Sequence, residues 1–447
     1  MKNVMSTESD ATTVPWYEKG IQTLESASSN SIPAVVHERR IEAQAVLQRL
    51  GLPSTQAEDW KYTDIRDVRS GNYSIASHGA VSQVDEDVRD LRILPLDVCY
   101  RIDTVDGFVA THLEDLQARL PDGVEVFSLS HASEEEQALL QQYVGSAATI
   151  SEDSIAALNT ALMQDGIVVR VRKGVSLDVP FYVQHISSGL NEYVASFPRV
   201  LVLVEEGARA AIIEHFTSVT ASSAFSTSVT ELFVEKNANL SHYQVGEDAL
   251  ENIRFSRISC HQDRDSTCKM HSATFGGKLV RNEVHPSLLG ENGTTCMYGL
   301  SVLTGNQHVD NHTVLDHVVP HCESDERYKG IYDDQSQGVF CGTIIVRPDA
   351  QKTNAIQNNA AIVLSEKASI NAKPQLKIWA DDVKCTHGAT VGALDAQQLF
   401  YLRSRGVSER DARNMLLRAF AGDVTQEIEY EALRSLIEER VVEKLSL

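Results

Sequence analysis

A short segment is rewritten along the chain: "VRKGVSLDV" from Val171, "VEEGARAAI" from Val204, "VEKNANLSH" from Val234, "VRPDAQKTN" from Val346 and "LSEKASINA" from Leu364. Each copy ends a strand-like run on an aliphatic residue, crosses a polar turn, and resumes on a small apolar residue. Hairpin turns in a sandwich have no reason to resemble one another. Corners of stacked coils do, because each meets the same steric demand as the corner beneath it. Glycine, asparagine and aspartate suit such corners because they accept left-handed backbone. The spacing is irregular, 33 residues from Val171 to Val204 and 30 from there to Val234, so coil lengths vary. A β-helix of stacked coils is therefore the expected architecture, with a β-sandwich or jelly roll as its competitor.

From about 124 to 384, valine, isoleucine, threonine and serine dominate in short alternating runs, the signal of many strands. The flanks read as helical. The expected division is an N-terminal tail over 1–30, a helical domain over 31–120, a β-helix core over 121–392 and a C-terminal helical domain over 393–447. "SIPAVVHERRIEAQAVLQRLG" places Val36, Ile41, Ala45, Val46 and Leu50 near one helix face, stopped by Gly51 and Pro53. Trp60 and Tyr62 then stand in a polar setting, either as pins onto a neighbouring domain or as an exposed recognition patch.

At the other end Asp395 with Gln398, and Ser408 with Asp411, resemble helix caps. Leu399, Phe400 and Leu402 supply apolar positions before Gly406, and Ala412, Met415, Leu416, Ala419 and Phe420 form a stripe. Val424, Ile428, Ile437 and Val441 mark a third stretch. A solenoid leaves a raw edge at its last coil. These helices are expected to cover it, with a spare apolar face for a partner.

A formal net charge of −22 argues against nucleic acid or an anionic membrane as a partner. No apolar run reaches about 18 residues, so no membrane span is expected. The N-terminus lacks the apolar segment of a secretory signal, and the seven cysteines are odd in number, scattered and free of C-x-x-C. Reduced thiols in a cytoplasm fit this usage. "ATFGGKLV" lacks the spacing of a phosphate loop, and no G-x-G-x-x-G, G-x-S-x-G or H-E-x-x-H is present. So few self-contained motifs in so long a chain suit an assembly subunit better than an independent enzyme.

Two clusters invite chemistry. In "GNQHVDNHTVLDHVVPHCESDE", His308, Asp310 and His312 share one face of a strand by period two, followed by Asp316, His317, His321 and Cys322. Two histidines and an acid are the ligand types of a non-haem iron site; the plainer reading is hydrogen-bonded polar side chains between stacked coils. In "VKCTHGATVG", Cys385 and His387 share a strand face. Sulfur and imidazole together suit iron or zinc, but two ligands do not complete a site, so Asp381, Asp382 or a partner chain would supply the remainder. A Cys–His nucleophile is the other option, without an evident orienting acid.

These segments carry a family resemblance. "DNHTVLDHVVPHCES" fits a D-x-x-T-x-x-x-H-x-x-P-x-x-x-S pattern through Asp310, Thr313, His317, Pro320 and Ser324. With the run from Gly338 to Gly392, and "LFYLRSRG", it resembles the SufB/SufD family of iron–sulfur cluster assembly proteins. "LPSTQAEDWKYTDIR" resembles the SufD branch, and "LNTALMQDGIVVRV" the family's entry into its strand-rich core.

The resemblance implies a right-handed parallel β-helix between helical domains. It implies a non-catalytic scaffold in a cytoplasmic complex with a SufB-like subunit and a SufC-like ABC ATPase, or a homodimer in isolation. It implies a nascent iron–sulfur cluster, transient and shared with the SufB-like partner, touched here by His387 and secondarily by Cys385 of the K-C-[ST]-H-G-A-T motif. It also implies ATPase docking through Leu399, Phe400, Leu402, Arg403, Arg405, Met415 and Phe420. The alternative is a metal-dependent enzyme using His308, Asp310 and His312.

Overall fold

Strands leave each corner in alternate directions and build two sheets that close on each other. The computed structural model describes residues 14–26, 32–84, 94–95, 98–220 and 222–445. From its C-terminal edge, the first sheet runs through Ser369–Ile378, Gln337–Val346, His308–His317, Leu279–Leu288, Ile253–Gln262, Ala224–Val234, Arg199–Val204, Ile167–Val171 and Val124–Ser128. The second runs through Lys384–Gly392, Asn354–Val363, Glu323–Tyr332, Thr294–Leu303, Thr267–Thr274, Asn239–Glu247, Arg209–Ser218, Phe181–Ser187, Tyr100–Val105 and Phe108–Val109. The result is a parallel β-solenoid of about eight turns. Two pairings at its N-terminal end are antiparallel, Val124–Ser128 with Ile167–Val171 and Phe108–Val109 with Tyr100–Val105.

The repeated motif is a column in space. Val171, Val204, Val234, Gln262, Leu288, His317, Val346 and Ile378 lie side by side at the ends of successive first-sheet strands. A left-handed residue follows on each corner from Val171 to Val346: Gly174, Gly207, Asn237, Asp265, Asn292, His321 and Lys352. At Gly174 and Gly207 an added Cβ would meet open space, so φ values of 73° and 70°, not crowding, favour glycine there. The copy at Leu364 follows a second-sheet strand and belongs to the opposite corner. Inside, the valines of this column join Ile212, Leu232, Leu240, Met270, Met297, Phe340 and Ile344 in one luminal core.

Tyr100–Val105 pairs in register with Phe181–Ile186, so a solenoid strand lies within the stretch read as helical. Of the stretch 1–30, residues 14–26 are described and carry a helix, Trp16–Ser26; the rest of that expected tail lies outside the described residues. The indole of Trp16 is buried and donates to the Val68 carbonyl at 2.7 Å. Helix Ala34–Leu50 buries Val36, Arg40, Ala43 and Leu47, while Ile41 and Leu50 are exposed. This corrects the expected face: Arg40 lies at its centre because its Nε donates to the Met163 carbonyl at 2.8 Å. Trp60 is the pin onto the solenoid, buried with the Arg281 guanidinium 3.9 Å above its ring, whereas Tyr62 is 39% exposed.

Three helices end the chain: Ala396–Ser404, Glu409–Thr425 and Glu431–Leu445. Asp395 and Ser408 cap the first two, accepting from the amides of Gln397 and Gln398 and of Asp411. The helices do not cover the last coil. Leu417, Ala421, Val424, Leu433, Ile437 and Val441 pack instead on outward side chains of the second sheet, among them Tyr243, Ala273, Leu300, Val302 and Ile331. That outward apolar stripe draws the helices back along the sheet. Among the described residues, neither Ser369–Ile378 nor Lys384–Gly392 has a strand on its far side, and Pro374 suits such an edge position. No helix among the described residues is long and apolar enough to cross a membrane.

Candidate functional site

The uncovered last coil holds the Cys385–His387 pair. In register, Cys385 lies beside Ala355 and His387 beside Gln357. Ala355 and Gln357 point into the lumen, so Cys385 and His387 share its inward face at the open mouth. Cys385 is half-buried against the luminal core, and burial pushes its thiol up, so the protonated form prevails at neutral pH. His387 is exposed. On the coil below, Gln357 Nε2 donates to Glu326 at 2.7 Å, and the Thr313 hydroxyl also donates to that carboxyl. Burial pushes Glu326 up to about 7.

The carboxylates expected to complete a site are engaged in the corners. Gln351 Nε2 donates to Asp381 at 2.9 Å, and Lys352 pairs with Asp382. Among the described residues, no group of three or more His, Cys, Asp or Glu side chains could hold a metal ion. An iron-bearing group touching Cys385 and His387 would draw further ligands from outside this chain.

The His308–Cys322 cluster separates in space. His308, Asp310 and His312 point outward, beneath the N-terminal segment. Arg281 occupies the position a metal would take: it pairs with Asp310, its Nη2 lies 3.1 Å from His312 Nδ1, and its Nε donates to Glu283 at 2.7 Å. Thr63 donates to Asp310 at 2.6 Å and approaches His308 Nε2 at 3.3 Å. A guanidinium among these donors does not fit the facial-triad reading. Asp316 takes two hydrogen bonds from Arg347, at 3.0 and 2.9 Å. His317 is buried in the lumen 3.0 Å from the Ser324 hydroxyl, and His321 is a left-handed corner residue.

A second buried constellation carried no sequence signal. Glu214 sits 3.0 Å from His185 Nε2 and 2.6 Å from His242 Nε2 and accepts from Thr230 at 2.8 Å. Burial pushes this carboxyl up, but the hydrogen bonds of His185 and His242 prevail and hold it well below the carboxylate range. Its residues come from three coils, which only the register brings together.

Among the expected docking residues, Phe400 and Met415 are 73% and 52% exposed, Arg403 and Arg405 are exposed, and Leu399, Leu402 and Phe420 are half-buried. Helix Ala396–Ser404 buries no residue. Tyr401, 57% exposed with the Arg405 guanidinium 5.3 Å from its ring centre, is a further exposed aromatic on this helix. Adjacent aromatics on a short helix point to different sides, and that was its available signal. The stripe read on the next helix is corrected: Ala412, Leu417, Ala421 and Val424 are buried, while Met415 and Ala419 face solvent.

Fold and site together define an open-ended parallel β-solenoid whose C-terminal helices lie along the second sheet and whose last coil presents a thiol and an imidazole. Residues 8–183 match the family model described as the SufBD protein N-terminal region, and residues 185–420 match that of the SUF system FeS cluster assembly SufBD core domain. The chain belongs to the SufBD family of iron–sulfur cluster assembly proteins and is SufD-like. It is 32% identical to the iron–sulfur cluster assembly protein SufD of Escherichia coli, over 91% of this chain and 93% of that protein. An iron–sulfur cluster assembly SufBD family protein of Synechocystis is 30% identical over 95% of both chains. Protein ABCI7, chloroplastic, of Arabidopsis thaliana is 29% identical over 92% of this chain and 86% of that protein.

Proposed function

We propose that this chain is a non-catalytic scaffold subunit for iron–sulfur cluster assembly in the cytoplasm. The observation that carries the reading is the uncovered last coil, with two free sheet edges and inward-facing Cys385 and His387. A SufB-like subunit extends both sheets across these edges, as strands add to an exposed ladder. A second copy of this chain takes the same place in isolation. The partner supplies most ligands to the nascent cluster, which is cargo and not a resident group. His387 donates one nitrogen lone pair to iron, and Cys385 contributes after losing its proton. The surface around Phe400, Tyr401 and Met415 receives a SufC-like ABC ATPase. Phe400 lies 13 positions after His387, so movement of the ATPase reaches the last strand through a short connection.

The test is reconstitution with SufB-like and SufC-like subunits. Phe400→Asp should weaken capture of the ATPase subunit at least tenfold, about 1.4 kcal/mol, while pairing through the solenoid edge persists. His387→Ala should leave the complex assembled and lower cluster yield roughly tenfold, the scale of losing a metal-site interaction. Normal yield from the His387→Ala complex would refute the ligand role, and undiminished capture by the Phe400→Asp chain the docking surface.

A further inference from the structure

His387 tops an inward column of the second sheet, above Met270, Met297, Glu326 and Gln357 in successive coils. The column is apolar at its two methionines and turns polar over its last three positions. Glu326 and Gln357 are 0% and 1% exposed, and buried polar groups of this kind require partners. Glu326 has two, the Thr313 hydroxyl and Gln357 Nε2. Gln357 is satisfied at one end only: its Oε1 has no partner. With the amide nitrogen committed to the coil below, the oxygen is the end left for the coil above, where His387 is the neighbour in register.

We propose that Glu326 and Gln357 are positioning residues for His387: Glu326 anchors the Gln357 amide, whose oxygen accepts one ring N–H of His387 and leaves the other ring nitrogen free to face the mouth. A neutral imidazole carries one donor and one acceptor nitrogen, and a fixed acceptor decides which is which. Metal-ligating histidines characteristically donate their second N–H in this way. The inference rests on the reading of His387 as a ligand to the nascent cluster, and it gives the buried carboxyl and amide beneath the mouth a role.

The test uses the isolated full chain with nitrogen-15 in its histidine rings, at about pH 8, above the ordinary imidazole range. The His387 signals are those lost in His387→Gln. The native chain should show His387 as a single tautomer, with well-separated ring nitrogen shifts. Gln357→Met should collapse that separation toward the average of two exchanging tautomers. Glu326→Gln combined with Gln357→Glu exchanges amide and carboxyl, which reverses the donor and acceptor of the lower hydrogen bond but still presents an oxygen to His387, and should restore it. Asn359→Ala, which removes another unpartnered luminal oxygen on the same strand beneath Ala389, should leave it intact.

Native shifts in Gln357→Met, an unrestored exchange variant, or an equal collapse in Asn359→Ala would overturn the proposal. Because the spectrum is recorded without iron or partners, it stands apart from the cluster reading. Lost separation in Gln357→Met, with undiminished cluster yield from the His387→Ala complex, would retain the hydrogen bond and remove the ligand role.

Discussion

An Arg281→Ala chain is expected to lose about 3–5 kcal/mol of stability in urea unfolding, because it leaves the buried Asp310 carboxylate without its counter-charge. Arg281 and Asp310 are each 2% exposed, and Arg281 ties Asp310, Glu283 and the Asp59 carbonyl together beneath the Trp60 ring. Glu283 keeps Arg257 at 3.1 Å, but Asp310 keeps only the Thr63 hydroxyl, and its Oδ1 has no partner. The loss should also free the segment around Trp60, so limited proteolysis should cut there faster. Lys373–Glu58, an exposed pair on the last coil, holds the same segment weakly. Replacing both charges, Arg281→Met with Asp310→Leu, should cost less than Arg281→Ala, since no charge is then left unpaired. Unchanged urea midpoints in Arg281→Ala would show that the network contributes nothing to the fold.

That network also marks the boundary of what the sequence discloses. The solenoid was legible because a corner is a local steric problem, solved again at Gly174, Gly207 and Asn237 within a few residues of text. Alternation along each strand was legible for the same reason. Buried arginines were not: Arg40, Arg199, Arg254 and Arg281 look like surface residues until the coil or helix that satisfies each is in place. His308, Asp310 and His312 resembled ligands because a strand puts them on one face, while the arginine between them comes from the preceding coil. The C-terminal helices have clear caps in the sequence, but the outward stripe that receives them is spread over Tyr243, Ala273, Leu300 and Ile331, and no local pattern links these. For Cys385 and His387 the sequence gives the spacing and the shared face. That the face is luminal, and stacked on Gln357 and Glu326, follows only from register.

Register also fixes how the fold responds to acid, the second large effect. Burial holds His317 at about 4 and His271 at about 3, and lowers His215, His285, His308 and His312 as well. For a histidine lowered on folding, the unfolded chain takes up the proton first. The stability it permits is complete above about pH 6.5 and is lost as pH falls toward the folded value. At about 1.4 kcal/mol per tenfold change in proton affinity, His317 alone removes about 3 kcal/mol between pH 6.5 and 4.

Glu326 acts in the opposite sense. Raised to about 7, it contributes fully below about pH 4.5 and loses that contribution as pH rises through 7, so acidification returns part of what the histidines remove. Two variants separate the terms. His317→Gln, which keeps a donor for Ser324, should flatten the fall in urea stability between pH 6.5 and 4. Glu326→Gln should stabilise the chain at pH 8 by up to about 3 kcal/mol and steepen its loss on acidification, because the opposing carboxyl is gone. Parallel stability curves for Glu326→Gln and the native chain from pH 8 to 5 would mean that Glu326 is ionised in the lumen at neutral pH. The anchor beneath Gln357 would then be a full negative charge two coils below the mouth.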